Sequence, residues 1–252
     1  YDLDGGEETT NPESYTIEDE DIVLNDPTKE GYTFIGWTGT DVDVATKEVT
    51  IAQGSTGNRE YTANWEAIEY TITYDLDGGE ETTNPESYTI ETEDIVLNNP
   101  IKEGYTFMGW TGTDIEEATK EVTIEKGSTG DREYTANWKA GEYTITYNLN
   151  GGAETTNPEG YTKEDEDIVL NEPTREGYTF IGWTGTDIEE ATKEVTIAQG
   201  STGDREYTAN WEVIEYTITY NLVGGDVSGN PTKYTIEDEA IILKAPTKEE
   251  YT

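Results

Sequence analysis

The sequence predicts a string of small β-rich domains in tandem, and three observations predict it. The same motifs return every 73 residues, apolar positions within each copy alternate with a period of two, and clusters of Gly, Asn and Pro interrupt the alternation.

The repeat sets the frame. Tyr1, Tyr74, Tyr147 and Tyr220 stand in register, and residues 1–68 and 74–141 differ at 12 of 68 aligned positions without insertion or deletion. Copies this similar read as recent duplicates, and their function as one that needs several of them. A unit opens at "EYTITY" and closes at "YTANW". The domains are therefore expected at 1–68, where the opening residues of the unit are absent, at 69–141, at 142–214, and at 215–252, which stops within the segment that should become "GYTF". On this frame the chain is a piece of something longer.

Each element follows in order. In "EYTITYDL", Tyr70, Ile72, Tyr74 and Leu76 share one face and Thr71, Thr73 and Asp75 the other, the pattern of a half-buried strand. "DGG" at 4–6 is a turn, because Gly tolerates positive φ. "NPES" and "NDPTKEG" are loops, where Pro withholds a ladder donor. In "GYTFIGWTGT", from Gly31, strict alternation would send Tyr32 and Phe34 one way and Ile35 and Trp37 the other, giving a strand apolar on both faces. "DIEEATKE", from Asp114, is the one segment expected to make a turn or two of helix. "EVTI" places Val49 and Ile51 inward, and "REYTANWE" sets Tyr61, Ala63 and Trp65 against Thr62, Asn64 and Glu66. The core is expected to hold Trp37, Trp65, Tyr70, Ile72, Tyr74, Phe107, Trp110, Tyr134, Trp138, Phe180, Trp183 and Trp211, together with Val122 and Ile124. The competing reading of these rings is a ligand platform.

Composition narrows the function. The chain has 252 residues, 56 acidic against 15 basic, a formal net charge of −41, and neither Cys nor His. Such a field repels nucleic acid phosphates and anionic lipid heads. Without His or Cys the commonest general base, the most reactive nucleophile and the usual transition-metal ligands are gone, so no enzyme and no cofactor is expected. The second copy, Glu69 to Gly141, carries 17 acidic and 5 basic residues, so the acidity belongs to every unit. No apolar run approaches the roughly 18 residues that span a bilayer. The sequence begins at Tyr1 rather than Met, which leaves room for a leader or anchor elsewhere in a parent protein.

Three candidate chemistries recede. "DLDGGEET" resembles the start of a calcium loop, but the third copy reads Asn148, Leu149, Asn150 and the fourth Asn221, Leu222, Val223, while the Gly pair stays; a turn requirement explains that better. Paired carboxylates about 5 to 9 Å apart could serve glycoside hydrolysis, yet a unit this small builds no deep cleft around them. Lys47 and Asn64, with Lys120 and Asn137 and Lys193 and Asn210, recur at fixed spacing, as a Lys–Asn isopeptide pair would; a surface charge and a local hydrogen bond are the plainer reading.

In this order and spacing, "YTITYDLDGG", "NPESYT", "PTKEGYTFIGW" and "YTANW" resemble the Listeria–Bacteroides repeat family, the internalin B type of B repeat, over essentially the whole chain. The resemblance implies a small α+β fold, the ubiquitin-like β-grasp. It also implies a multidomain, secreted, often cell-wall-anchored protein of Gram-positive bacteria, in a stalk or adhesin context and with no catalytic residues. The fourth copy departs from the pattern at "LVGGDVSGNPTK" and at Glu250, which stands where the first copy has Gly31.

Two functions follow as expectations. One is a monomeric extracellular spacer that holds a head domain away from the cell wall, its partners being its own neighbouring repeats. The other is a module that recognises host glycan or protein through exposed aromatics. The joints bear on the choice. Only Glu66 to Glu69 separate Trp65 from Tyr70, and the later joints read "KAGE" and "EVIE", too short and apolar for a coil linker. Core parity changes across the first joint, from odd positions at Tyr61, Ala63 and Trp65 to even ones at Tyr70, Ile72 and Tyr74. The expected result is an extended, alternating, semi-rigid array of repeats, loosened at Gly141.

Overall fold

The computed structural model describes residues 1–7 and 10–249, and Glu250 lies outside them. The chain divides into two compact units, Tyr1–Lys139 and Ala140–Thr252, each containing two repeats.

In the first unit, repeat 1 contains β1 (Ile22–Val23), β2 (Tyr32–Gly39), β3 (Val42–Thr46), β4 (Thr50–Ile51) and β5 (Tyr61–Ala67). Strands β3, β2 and β5 form an antiparallel sheet in that order, and β1 pairs with β4. Asp2 bridges in parallel to Thr62 of β5. Repeat 2 contains β6 (Tyr70–Asp75), β7 (Ser87–Tyr88), β8 (Ile95–Val96), β9 (Tyr105–Gly112), β10 (Ile115–Thr119), β11 (Thr123–Ile124) and β12 (Arg132–Ala140). Its main sheet runs β10-β9-β12-β6-β7, and β8 pairs with β11. The first and last strands of the repeat, β6 and β12, lie side by side in parallel, Tyr74 opposite Tyr134.

In the second unit, repeat 3 contains β13 (Glu142–Asn148), β14 (Gly160–Thr162), β15 (Ile168–Val169), β16 (Tyr178–Gly185), β17 (Ile188–Thr192), β18 (Thr196–Ile197) and β19 (Arg205–Val213), with the same order, β14-β13-β19-β16-β17. Repeat 4 contributes β20 (Tyr216–Thr217) and β21 (Lys233–Tyr234), paired antiparallel.

The α+β β-grasp expectation is overturned: no helix occurs among the described residues. The stretch between β7 and β9, where a helix would have to cross the sheet, carries Asn98, Asn99 and Pro100 at its centre. A proline inside a helix costs about 3 kcal/mol, through a lost hydrogen bond and a clash with the preceding turn. The segment instead forms β8 and a loop tied down by Leu97 N–H donating to the Val122 carbonyl at 2.9 Å. "DIEEATKE" is also corrected. Asp114 takes φ 61°, the left-handed conformation that Asp tolerates in a tight turn, and this turns the chain back so that Ile115 pairs with Gly112 as the start of β10.

The alternation expected for "GYTFIGW" also fails. In β2, Phe34 faces Trp65 and Gly36 faces Asn64, so two residues of β2 span one step of β5: a β-bulge. The bulge reverses the parity. Phe34 and Trp37 both enter the core, while Ile35 is 38% exposed. The strand is apolar on one face. Gly36 makes this possible with φ 138°; a Cβ there would lie 2.6 Å from the carbonyl carbon of Thr46 in β3. Met108 and Ile181 are turned outward in the same way.

Each complete repeat closes over its own core. In repeat 2 it is Ile72, Tyr88, Leu97, Trp110, Val122, Ile124, Tyr134 and Ala136, with Tyr70, Tyr74, Phe107 and Trp138 packed against it. Repeats 1 and 3 build the corresponding clusters.

Candidate functional site

The rings that recur in the sequence occupy three depths. Trp37, Trp110 and Trp183 are fully buried. Ile72, Tyr134 and Phe180 are buried beside them or in the equivalent places. Trp65, Tyr70, Tyr74, Phe107, Trp138 and Trp211 are half-buried. In each of repeats 1 to 3 a Phe makes edge-on contact with both Trp rings, as Phe107 does with Trp110 at 5.4 Å and Trp138 at 5.3 Å. The half-buried Trp is held by its indole N–H, which donates to a turn carbonyl 3.0 Å away: Trp65 to Leu3, Trp138 to Leu76, Trp211 to Leu149.

The turn that resembled a calcium loop carries its own cation. Asp4, Asp77 and Asn150 take φ of 46°, 45° and 47°, and the backbone N–H of each bonds the side chain two residues before it, an Asx-type turn. Lys29 Nζ donates to the Asp4 carbonyl at 2.7 Å and lies 4.3 Å from the centre of the Tyr32 ring. Lys102 repeats this at 2.6 Å to the Asp77 carbonyl, over Tyr105. Arg175 lies over Tyr178 at 3.6 Å in the third copy, and Lys248 reaches the Val223 carbonyl at 3.2 Å in the fourth. Val223 adopts φ 45°, which strains a β-branched residue. Among the described residues no group of three or more Asp and Glu is arranged to hold a metal ion.

The Lys–Asn pairs do not meet as a buried site. Lys47, Lys120 and Lys193 are exposed. Asn64 spends its side-chain N–H groups on the bulge, donating to the Gly36 carbonyl at 3.1 Å, to Thr38 Oγ1 at 3.0 Å and to the Thr62 carbonyl at 3.0 Å. Asn137 and Asn210 do the same.

Two polar networks were invisible in the one-dimensional pattern. Arg59 donates to Tyr15 Oη at 3.3 Å and to Asp41 at 2.9 Å, while Tyr15 donates to the Gly57 carbonyl at 2.6 Å; Arg132 with Tyr88 and Arg205 with Tyr161 repeat the arrangement. Asn84 bonds the backbone of Asn98 twice, donating to its carbonyl at 3.0 Å and accepting its N–H at 2.6 Å. Asn11 with Asn25 and Asn157 with Asn171 match it. The only signal was that an Asn precedes Pro in both loops of every complete copy, which reads as loop chemistry until the loops are brought together.

Within each unit, successive repeats are clamped by two contacts. Tyr32 Oη donates to Glu91 of the next repeat at 2.9 Å, beside the end of β5, where the Ile68 N–H extends the repeat's own ladder by donating to the Gly31 carbonyl at 2.9 Å. Ile90 lies so close that a Cβ on Gly31 would stand 2.5 Å from its Cδ1. In the second unit Tyr178 donates to Glu237 at 2.7 Å and Ile236 lies against Gly177, whose carbonyl accepts the Ile214 N–H of its own repeat at 2.8 Å. The hydrogen bond to Glu91 raises the pKa of Tyr32, and that to Glu237 raises the pKa of Tyr178.

Comparison with known proteins finds repeat-family matches along the chain. The Listeria-Bacteroides repeat domain matches residues 70–135, 143–209 and 216–252, and the divergent InlB B-repeat domain matches residues 3–69. A protein of Evansella cellulosilytica, named as a Gly-rich membrane protein, is 29% identical over 79% of this chain and 22% of its own length. Internalin H of Listeria monocytogenes is 43% identical over 33% of this chain and 15% of its own length. The chain spans less than a third of the length of each of these relatives. No solved structure matches it. No helix among the described residues is long and apolar enough to cross a membrane.

Proposed function

The chain belongs to the Listeria–Bacteroides repeat family, and we propose that it is a spacer segment of a bacterial surface protein, holding a head domain away from the cell wall. The observation that carries this reading is the clamp between successive repeats, built from the same positions in both units: Gly31 against Ile90 and Tyr32 to Glu91 in one, Gly177 against Ile236 and Tyr178 to Glu237 in the other. A spacer needs joints that resist bending, and a short connection with a hydrogen bond beside an aliphatic contact resists it better than a Gly/Ser coil. The "GYTF" motif thus has two roles, since its Gly and Tyr form the joint and its Phe fills the core. The similarity to Internalin H and to a protein named for the membrane supports a surface setting.

The alternative, a module that grips host glycan or protein through exposed aromatics, draws little support from the rings. Three Trp are fully buried and the other three are half-buried with their N–H groups bonded internally.

Residual dipolar couplings of the full chain test the spacer. Repeats 1 and 2 are expected to share one alignment tensor, and the double variant Tyr32→Phe, Ile90→Ser to separate into two. Independent tensors for these repeats in the unaltered chain would remove the basis of the reading.

A further inference from the structure

The tight turn near the start of the repeat occurs four times at nearly one backbone geometry, with φ of 46°, 45°, 47° and 45° at Asp4, Asp77, Asn150 and Val223. Two Gly residues follow in each copy, and Asn150 is the only Asn in the chain that precedes a Gly. In that pair the peptide nitrogen reaches the side-chain amide with least hindrance, because Gly has no Cβ to block the approach. The structure leaves the reacting groups accessible, since Asn150 and Gly151 are both exposed. The flanking N–H groups are engaged, Asn150 with Asn148 Oδ1 at 3.2 Å and Gly152 with the Leu149 carbonyl at 2.9 Å, whereas that of Gly151 has no acceptor among the described residues. The Arg175 guanidinium lies against the same peptide: a Cβ on Gly151 would stand 3.5 Å from its Nε and 3.6 Å from its Cζ. A cation there favours loss of the amide proton and steadies the oxyanion that forms on attack.

We propose that Asn150 is a site of spontaneous deamidation, assisted by Arg175, which converts the turn of repeat 3 into the Asp form that repeats 1 and 2 already carry, together with an isoaspartyl form. The Asn150 amide first leaves the Ala209 carbonyl, to which its Nδ2 donates at 3.0 Å, and rotates towards Gly151. Water takes the Gly151 amide proton and the nitrogen bonds to Asn150 Cγ. The Cγ–Nδ2 bond then breaks, and Nδ2 leaves as ammonia with a proton returned by water. A further water opens the resulting succinimide, at Cγ to give Asp or at the main-chain carbonyl to give isoaspartate. The net change is water consumed and ammonia released in equal amounts, with nothing oxidised or reduced.

The two products differ in effect. Asp suits the turn: Asp4 and Asp77 hold the same φ with a carboxylate oxygen 3.7 Å from Lys29 Nζ and 3.4 Å from Lys102 Nζ, and Arg175 occupies the corresponding position in repeat 3. Isoaspartate inserts an extra main-chain carbon between residues 150 and 151. That breaks the bond from Gly152 to Leu149 and displaces the carbonyl that holds the Trp211 indole N–H at 3.0 Å. Repeat 3 therefore carries a weak point that develops with age. Repeats 1 and 2 present a carboxylate there, a poorer electrophile than an amide, and Val223 has no side-chain carbonyl at all. The proposal stands independently of the spacer reading.

The test incubates the full chain in mildly alkaline buffer and follows ammonia release alongside peptide mapping by mass spectrometry. The chain is expected to release equimolar ammonia, with the mass change confined to the peptide that contains Asn150 and that peptide resolved into Asp and isoaspartyl forms. Arg175→Gln, with circular dichroism unchanged, should slow the release at least about threefold, because the cation beside the reacting peptide is lost. Arg175→Lys, which installs the residue type of Lys29 and Lys102, should restore most of the rate. An unmodified Asn150 long after a free peptide of residues 147–153 has fully converted would overturn the proposal. So would equal release from Arg175→Gln, or modification spread over the other Asn residues. None of these outcomes depends on how stiff the joints are.

Discussion

Phe34 and Trp37 lie on the same face of β2, their ring centroids 5.4 Å apart, although they are an odd number of residues apart in a strand. The bulge at Ile35 and Gly36 turns the alternation over between them, and Asn64 holds it in place from the neighbouring strand. This gives the aromatic ten-mer a single core face and turns its one aliphatic side chain, Ile35, outward.

Gly36→Ala is therefore expected to cost about 2 to 4 kcal/mol, since the new Cβ meets the β3 backbone at a φ that L-residues avoid. Ile35→Ala, a larger change of side chain at the next position, should stay within about 0.5 kcal/mol. Chemical denaturation of the two variants checks the contrast. Equal losses would mean that Ile35 is packed and the bulge is not where the structure puts it.

Asn84 and Asn98 look alike in the sequence but should behave differently. Asn84 uses its side chain to pair both backbone groups of Asn98, whereas the side chain of Asn98 makes one exposed bond to Thr83. Asn84→Ala should cost about 1 to 3 kcal/mol by leaving those groups unpaired, and Asn98→Ala much less. Repeat 4 already contains the second kind of change: Lys244 stands at the corresponding position and its backbone still bonds Asn230 twice.

Calcium should leave stability unchanged. The carbonyl that a cation would seek at the Asp4 turn already accepts from Lys29, and that at the Asp77 turn from Lys102. Melting curves with chelator and with millimolar calcium are expected to coincide. A clear upward shift with calcium would reveal a site that binds only the folded state.

Alkaline pH should unfold the complete repeats late. Burial, followed by the neighbouring Tyr134 or Tyr207, pushes Tyr74 and Tyr147 up from 10.0 to about 12. A folded-state pKa above the unfolded one contributes stability that is fully present below pH 10 and is lost as pH rises towards 12. Circular dichroism should stay flat to about pH 10 and decline above it. Tyr147→Phe should move that decline upward, although it removes a hydrogen bond to the Pro158 carbonyl. A decline that begins near neutral pH would assign alkaline unfolding to some other group.

The sequence by itself determined the repeat, the strands and much of what lies inside. A 73-residue period, Tyr70, Ile72 and Tyr74 on one face, and positive φ at the Asp-Gly turn are all local consequences of residue type and spacing. Tertiary structure decided what local pattern cannot encode. Asp114 turns "DIEEATKE" into a hairpin strand because β9 is there to pair with it. The bulge in β2 exists because β5 offers one residue where β2 supplies two. The parallel pairing of β6 with β12 brings together residues about 60 apart, and the Arg–Tyr, Asn–backbone and Tyr32–Glu91 contacts arise only once such distant segments are adjacent. A helix was expected from a resemblance, and Pro100 with the strand pairs around it excludes one. Periodicity reports which face of an element is apolar; the register between elements, and therefore which polar groups meet, is set by packing free energy summed over the whole repeat.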